Sequence, residues 1–296
     1  MTLRLVTTTL VTGSNQYYLN THIGSIVIDF NRTKQYTLSI RVSTDGFCFS
    51  VHNPQADNQY AFQPYSIDPL KSVTANLKAA VQETEMLRHA YARVNVIVAE
   101  APYTIVPKEY YAESHQRELY LQNFPTSTDN TIVLPNMVGE KQAVVLFGIE
   151  RQLHQFVTER YPRAQFYSPV SPLIDFGVEK SYASGRNYFM VHLHKRYAHV
   201  LCFTNAAPLF VNTFSGRDTS DILYFLLNCW QTLGLSQTED TIHLTGTSRN
   251  VKALTRELEK FIQHIHVIRP AEEFHSTELA RIGEVPFDLQ ALIACE

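Results

Sequence analysis

The sequence predicts an α/β protein in which two lobes repeat the same order of strands and helices. Apolar residues alternate over short runs, as half-buried strands require, and recur at helical spacing in the longer runs between them. The order hairpin, third strand, long helix, strand, helix and strand occurs twice along the chain. With 296 residues, 45% of them hydrophobic, the chain can bury a core in each lobe.

The first copy opens with a hairpin. Apolar residues alternate along 36–42 and again along 47–51, and Asp45 and Gly46 lie between the two runs. Asp-Gly between alternating strands is a strong turn signal, because glycine accepts a positive φ without strain. The other predicted elements of this copy are a strand near 60–62, a helix from a cap at Asp68 to about 91, strands at 93–99, 131–135, 143–148 and 163–167, and helices at 113–123 and 150–161.

The second copy begins with strands at 188–194 and 197–203, which Lys195 and Arg196 separate. The remaining predicted elements are a strand at 209–214, a helix capped by Asp218 or Thr219 and ended by Gly234, a strand at 241–245, a helix at 251–262, a strand at 264–268, and short helices near 277–282 and after Pro286. We therefore expect an N-terminal extension at 1–30, a first lobe at 31–167, a linking helix at 168–187, and a second lobe with C-terminal helices at 188–296.

This order of elements describes two RNase H-like lobes in an actin-like ATPase arrangement, with mixed sheets flanked by helices. The segment 38–49 resembles the opening hairpin of an uncharacterised bacterial family, a domain of unknown function, and the resemblance extends loosely from about residue 25 to the C-terminus. It implies an actin-like or RNase H-like fold similar to that of cytoplasmic pilus-assembly ATPase relatives. It brings no activity with it.

An active actin-like ATPase needs an Asp-x-Gly at each of two hairpin tips, where backbone N–H groups and the carboxylate handle phosphate and metal. The first tip offers Asp45 and Gly46, although a hairpin turn alone also explains this pair. The second tip has Lys195 and Arg196 in place of the acid and the glycine. Two basic side chains could contact a phosphate, or they form an ordinary exposed turn.

The third element of such a site is a Gly-Gly turn late in the second lobe, where the nucleoside approaches the backbone. The turn at 244–248 keeps one glycine, Gly246, and places Ser248 before a predicted helix N-terminus. A helix N-terminus can hold an anion, but a plain strand-to-helix turn has the same sequence. No GxxxxGK[ST] or GxGxxG motif occurs. The candidate nucleotide-binding residues are Asp45, Gly46, Lys195, Arg196, Gly246 and Ser248.

Two histidine pairs are candidates for metal ligands. His192 and His194 lie two apart on one predicted strand, as do His264 and His266 on another, so each pair shares a face. His199 falls on the strand next to the first pair. Neither pair has a carboxylate or cysteine ligand nearby in the sequence, and edge polar positions explain both. We therefore expect no metal site.

Composition excludes several classes of protein. With 25 Lys and Arg against 28 Asp and Glu, the formal net charge is −3, so there is no basic field for nucleic acid. No apolar run approaches the ~20 residues of a membrane span. The four cysteines show no CxxC spacing, which favours a reducing compartment. We expect a cytoplasmic location.

These patterns predict a non-catalytic or degenerate actin-like module that acts as an intracellular binding or scaffold protein, with no catalytic residues. Its partner is expected to be a protein, and a homodimer is compatible with a sequence that carries no interface signature. The alternative is a nucleotide-binding ATPase or sugar-kinase-like protein. That alternative would take ATP as cofactor in the cleft between the lobes, with Asp45, Lys195 and Gly246 in contact with it.

Overall fold

The chain folds into two mixed sheets flanked by helices, which confirms the predicted class. The structure, a computed structural model, describes residues 16–19, 26–216, 218–246, 248–274 and 278–295. In those residues the strands are β1 (Gln16–Leu19), β2 (Ile26–Asp29), β3 (Thr37–Val42), β4 (Phe47–Asn53), β5 (Ala56–Tyr65), β6 (Arg93–Val98), β7 (Tyr103–Pro107), β8 (Thr131–Val138), β9 (Ala143–Glu150), β10 (Ala164–Tyr167), β11 (Tyr188–Leu193), β12 (Tyr197–Thr204), β13 (Ala207–Ser215), β14 (Thr241–Gly246) and β15 (His264–Val267). The α-helices are α1 (Val73–Glu83), α2 (Gln116–Asn123), α3 (Arg151–Arg160), α4 (Val170–Ser184), α5 (Thr219–Thr232), α6 (Ser248–Leu258), α7 (Pro270–Glu273) and α8 (Phe287–Ala294).

The first sheet, with strand order β10-β6-β3-β4-β5, forms what we call the N-terminal lobe. Strands β3, β4 and β5 pair antiparallel, whereas β6 pairs parallel with both β3 and β10. Because side chains alternate across a strand, Leu38, Ile40 and Val42 share one face, where they form a core with residues of α1 and α3. Arg41 lies on the opposite face, which is turned toward α8.

The second sheet forms the C-terminal lobe and repeats the first. Its order β13-β12-β11-β14-β15 has the same parallel and antiparallel neighbours as β5-β4-β3-β6-β10. Phe189, Val191 and Leu193 pack against α5 and α6, so the intervening residues of β11 face the other way. The predicted duplication of one plan is therefore confirmed at the level of strand order.

A third sheet, β7-β9-β8, lies between β6 and β10 along the chain and packs against α2. Its strand β7 is absent from the sequence-based prediction. Prolines at 102 and 107 bracket that strand, and proline is a signal for strand ends rather than strand interiors. Pairing with β9 along its whole length overrides that local signal.

Two helices join the lobes. Helix α4 follows β10 and is buried over most of its length, and Gly177 lets it approach the C-terminal lobe because a Cβ there would lie 2.1 Å from the Phe203 ring. Helix α8 contributes Phe287 to a core with α4 and the C-terminal lobe. Its Leu289 packs instead with residues of the N-terminal sheet. The last helix therefore completes two cores at once.

The start of α1 differs from the prediction. The helix begins at Val73, and Ser72 caps it by accepting a hydrogen bond from the Ala75 N–H at 3.1 Å. The predicted cap, Asp68, instead accepts from the Leu70 N–H, and the Asn76 amide bonds to the Asp68 backbone. These side-chain bonds favour a turn over residues 68–71, as short polar side chains commonly do.

Strands β1 and β2 pair antiparallel within the expected N-terminal extension, and residues 1–15 and 20–25 of that extension lie outside the described part. Across the residues that the structure covers, none of the helices combines the length and the apolar character that crossing a membrane requires.

Cys48, Cys202 and Cys229 are buried and unpaired, and Cys295 is exposed. Burial raises the pKa of the Cys48 thiol to about 12, so it is protonated at neutral pH.

His243 on β14 makes stability depend on pH. Burial lowers the pKa of its imidazole to about 4, although the bond from its Nδ1 to the Phe189 carbonyl opposes the shift. The native state keeps this imidazole neutral, whereas the unfolded chain takes up a proton below pH ~6.5. Stability is therefore present above that pH and is lost as the pH falls toward 4.

We expect His243→Gln to remove about 1–2 kcal/mol of the stability difference between pH 7 and pH 5, measured by urea unfolding at both values. His264→Gln, which removes an exposed imidazole from the neighbouring strand, is the control for the substitution itself. A His243→Gln profile that superimposes on the wild-type profile would contradict the assignment.

Candidate functional site

The tips of the two corresponding hairpins meet across the junction of the lobes. Arg196 of the C-terminal lobe places its Nη2 at 3.8 Å from Asp45 Oδ1 and donates a hydrogen bond to Thr44 Oγ1 at 3.3 Å. The Arg196 side chain is 71% exposed and that of Asp45 is 35% exposed. An exposed ion pair of this kind contributes at most ~1 kcal/mol. The charged groups of Arg196 and Asp45 nevertheless fill the gap between the two tips.

The backbone of the first tip is already hydrogen-bonded. The Thr44 N–H donates to Glu100 Oε2 at 3.1 Å, and the Ser43 hydroxyl donates to Glu100 Oε1 at 2.7 Å. The Asp45 N–H donates to the Ser43 hydroxyl oxygen, and the Gly46 N–H donates to the Ser43 carbonyl. The Glu100 carboxylate therefore occupies the hydrogen-bonding position in front of the Thr44 N–H.

The second tip is a tight turn of two exposed residues, Lys195 and Arg196. The His194 N–H donates to the Tyr197 carbonyl at 2.9 Å, and the Gly216 N–H donates to the Arg196 carbonyl at 3.0 Å. These two bonds close the turn and attach it to the residue that follows β13. This tip supplies positive charge and no carboxylate.

Gly246 ends β14 directly beside β11. It pairs with Leu193, and at its φ of 128° a Cβ would lie 2.2 Å from the Leu193 carbonyl oxygen. Only glycine fits such an approach, so the packing of two strands accounts for this residue. Ser248 begins α6, and its side chain, like Thr247, lies outside the described part.

A cavity of about 200 Å³ lies between the second tip and the first turns of α5 and α6. Lys195, Arg196 and Asp218 are among the residues that line it. Sites for drug-sized ligands usually have about 300–1,000 Å³. A larger cavity, of about 520 Å³, lies elsewhere in the C-terminal lobe, and its charged lining residues are Arg186, Glu239 and Asp240.

A buried ion pair lies behind the tips. Arg41 Nε donates to both carboxylate oxygens of Asp288, at 3.0 and 2.8 Å, and the two side chains are 8% and 0% exposed. Arg41 comes from β3 of the N-terminal lobe and Asp288 from α8. The pair therefore links the N-terminal sheet to the helix that packs between the lobes.

Three histidines of the C-terminal sheet lie close to this ion pair. Two of them are near the Asp288 carboxylate, and the third is next to those two. His192 and His194 share a face of β11, as predicted, and ligand atoms from both lie with Asp288 within 4.8 Å of one another. His199 stands opposite His192 on β12, and its Nδ1 shares a hydrogen bond with Thr213 Oγ1 at 2.7 Å. Burial lowers the pKa of His192 to about 4 and the pKa values of His194 and His199 further below their ordinary range.

The structure thus brings Asp45, Gly46, Lys195 and Arg196 to one place and puts Gly246 at the neighbouring strand end. Sequence reasoning missed Glu100 and both members of the buried ion pair, Arg41 and Asp288. It also placed His264 and His266 correctly on one strand, β15, where both are exposed.

Comparisons with known proteins agree with this architecture. The family model "Protein of unknown function (DUF3822)" matches residues 27–265. A crystallised protein of unknown function with an actin-like ATPase fold, from Bacteroides thetaiotaomicron, is 35% identical; the match covers 91% of this chain and 99% of that chain, with a TM-score of 0.80. The PilM–PilN type IV pilus biogenesis complex matches at 12% identity, 88% and 98% coverage and a TM-score of 0.56.

No curated protein matches the sequence. The PilM likeness shows the fold alone, whereas the family model spans most of the chain and the Bacteroides protein is similar over nearly its whole length. The chain is therefore a member of the DUF3822 family of proteins of unknown function, and it has the actin-like ATPase fold.

Proposed function

We propose that this chain is a non-catalytic actin-like module that binds a protein partner as a scaffold and does not use a nucleotide. One observation carries the proposal. The Thr44 N–H, at the tip where an actin-like ATPase receives phosphate, donates to the Glu100 carboxylate. A phosphate there would have to displace that carboxylate and overcome its negative charge. The division into lobes at 31–167 and 188–296, with a linking helix at 168–187, is part of this proposal.

The charges at the tips support the same conclusion. Phosphoryl transfer needs carboxylates that hold Mg²⁺ against the phosphates. The first tip holds two acids: Asp45 faces Arg196, and Glu100 accepts hydrogen bonds from the Thr44 N–H and the Ser43 hydroxyl. The corresponding position of the second tip holds Lys195 and Arg196. The 200 Å³ cavity beside them is the feature that favours the alternative of a nucleotide-binding ATPase or sugar-kinase-like protein, and it is small for a nucleotide.

A protein partner is consistent with one use of this fold. PilM, which has the same fold, takes part in a pilus biogenesis complex with PilN. For the present chain we propose the general property, assembly with another protein, and not that particular partner. A second copy of the chain is the simplest other partner.

The nucleotide half of the proposal is tested by thermal unfolding in millimolar Mg-ATP, Mg-ADP or Mg-GTP. A ligand at 100 times its Kd would add about 2.7 kcal/mol of stability, which a melting curve detects readily. We expect no shift and no release of phosphate. A shift of several degrees with any of the three would overturn the proposal.

Glu100→Gln provides the matched variant. It keeps an acceptor for the Thr44 N–H and removes the negative charge, so the fold should be retained. Nucleotide binding by this variant alone would support Glu100 as the group that blocks the tip.

The proposed binding of a protein partner needs a separate test. A tagged chain purified from the source cells should retain a stoichiometric protein partner or form a homodimer in the presence of Mg-ATP. A monomer without a partner would contradict this part of the proposal.

A further inference from the structure

We propose that His192, His194 and Asp288 form a binding site for a divalent zinc ion at the junction of the two lobes. The site would join β11 of the C-terminal lobe to α8. It goes beyond the proposed function and does not depend on it, since a zinc ion at this position contacts neither hairpin tip.

The positions of the donor atoms carry the proposal. One ligand atom from each of the three side chains lies within 4.8 Å of the other two. A tetrahedral zinc site, with metal–nitrogen distances of about 2.0 Å, holds its ligand atoms about 3.3 Å apart. Small rotations of the three side chains would bring their ligand atoms from within 4.8 Å to this shorter spacing. The two imidazole planes stand at 85° with centroids 4.5 Å apart, so the rings are not stacked face to face.

Unpartnered nitrogens point to a missing ligand. Both ring nitrogens of His192 and Nε2 of His194 are buried without a hydrogen-bond partner within the described part of the chain. His192 itself is 2% exposed. Buried polar atoms nearly always find partners, and a neutral imidazole nitrogen is a good ligand for zinc. A bound ion would satisfy one nitrogen on each ring.

Asp288 has room for one more contact. Its carboxylate accepts two hydrogen bonds from Arg41 Nε and one from the Leu289 N–H. A carboxylate offers about four lone-pair positions, so one is left for a metal. Arg41 would then orient the ligand from behind, as partners of metal ligands commonly do. Its positive charge also weakens the binding of a cation, and we expect lower affinity than that of a structural zinc finger.

The donor set fits zinc. Two imidazoles and one carboxylate are the ligands of known zinc sites, in which a fourth position stays open for water. The same three ligands also suit iron(II). His194 also lines the cavity of about 200 Å³ beside the second tip, which gives the ion a path from solvent. The nearby His199, whose ring centroid is 5.3 Å from that of His194, has its Nδ1 held by Thr213 and its Nε2 unpartnered, so it offers a further nitrogen donor.

The test uses the full chain, stripped with a chelator and dialysed against zinc chloride in the micromolar range. We expect one zinc per chain by elemental analysis and a rise in Tm on the order of 5 °C at saturating zinc. Cobalt(II) in place of zinc should give the intense visible absorption of a low-coordinate site. Absence of bound zinc in the wild-type chain would overturn the proposal.

His192→Ala and His194→Ala should each abolish the stoichiometric zinc and the rise in Tm. His264→Ala is the matched control, because it removes one of two histidines at the same spacing on β15, where both are exposed. It should bind zinc as the wild type does. Asp288→Asn should also lose the ion; if that variant does not fold, the two histidine variants decide. Zinc retained by His192→Ala and His194→Ala would overturn the proposal in favour of an adventitious surface site.

Discussion

Replacement of Arg41 by methionine should destabilise the protein by about 3–5 kcal/mol, because it leaves a buried carboxylate without its partner. Asp288 is fully buried, and Arg41 Nε supplies two of its hydrogen bonds. Urea unfolding in the presence of a chelator measures the loss without interference from bound metal. The effect should exceed that of any exposed ion pair in the chain.

Two variants make this result specific. Arg196→Ala breaks the exposed contact with Asp45 and should cost less than about 1 kcal/mol. The double variant Arg41→Met, Asp288→Leu replaces both charges by apolar groups and should recover most of the stability, as buried ion pairs often allow. A single Arg41→Met variant within 1 kcal/mol of wild type would show that Asp288 finds another partner.

The second large effect is expected for Gly246→Ala, at about 3 kcal/mol or more. The added Cβ would lie 2.2 Å from the Leu193 carbonyl oxygen and 2.9 Å from its carbonyl carbon, both of them backbone atoms in a paired strand. A φ of 128° adds strain for any residue with a side chain. Strand β14 would have to move away from β11 to accommodate the methyl group.

Gly234→Ala separates the effect of the positive φ from the effect of the steric clash. That glycine also has a positive φ, 69°, but a Cβ there meets no described atom within 4 Å. Its loss should be about 1 kcal/mol, the conformational part alone. Equal losses for the two variants, measured by urea unfolding, would contradict the close approach of β14 and β11 as the reason for Gly246.

Local patterns predicted the fold well because the lobes are built from regular elements. Alternation at Leu38, Ile40 and Val42, with Asp45-Gly46 at the turn, defines a hairpin without help from the rest of the chain. The start of α1 was predicted wrongly, since Asn76 binds the Asp68 backbone from the second turn of the helix. A proline-flanked strand such as β7 depends on its neighbour β9, which local signals do not reveal.

The site was less predictable because its residues come together only in three dimensions. Glu100 was missed although the topology contains a signal for it. Strands β3 and β6 are parallel neighbours, and Val42 pairs with Val98, so the residues just after both strands must meet at one edge of the sheet. Asp288 had no such signal, because it lies in a helix far along the chain from Arg41 and His192.

The packing of α8 against both lobes restrains the movement of one lobe relative to the other. Proteins that close around a ligand do so by turning two lobes about a hinge. Opening this junction would expose Leu289 and Ile293 to water and separate the buried charges of Arg41 and Asp288. The free energy required for such an opening therefore approaches the free energy of unfolding the whole chain. The two lobes should therefore melt together as a single cooperative unit, with the closed arrangement as the ground state rather than one of two exchanging states.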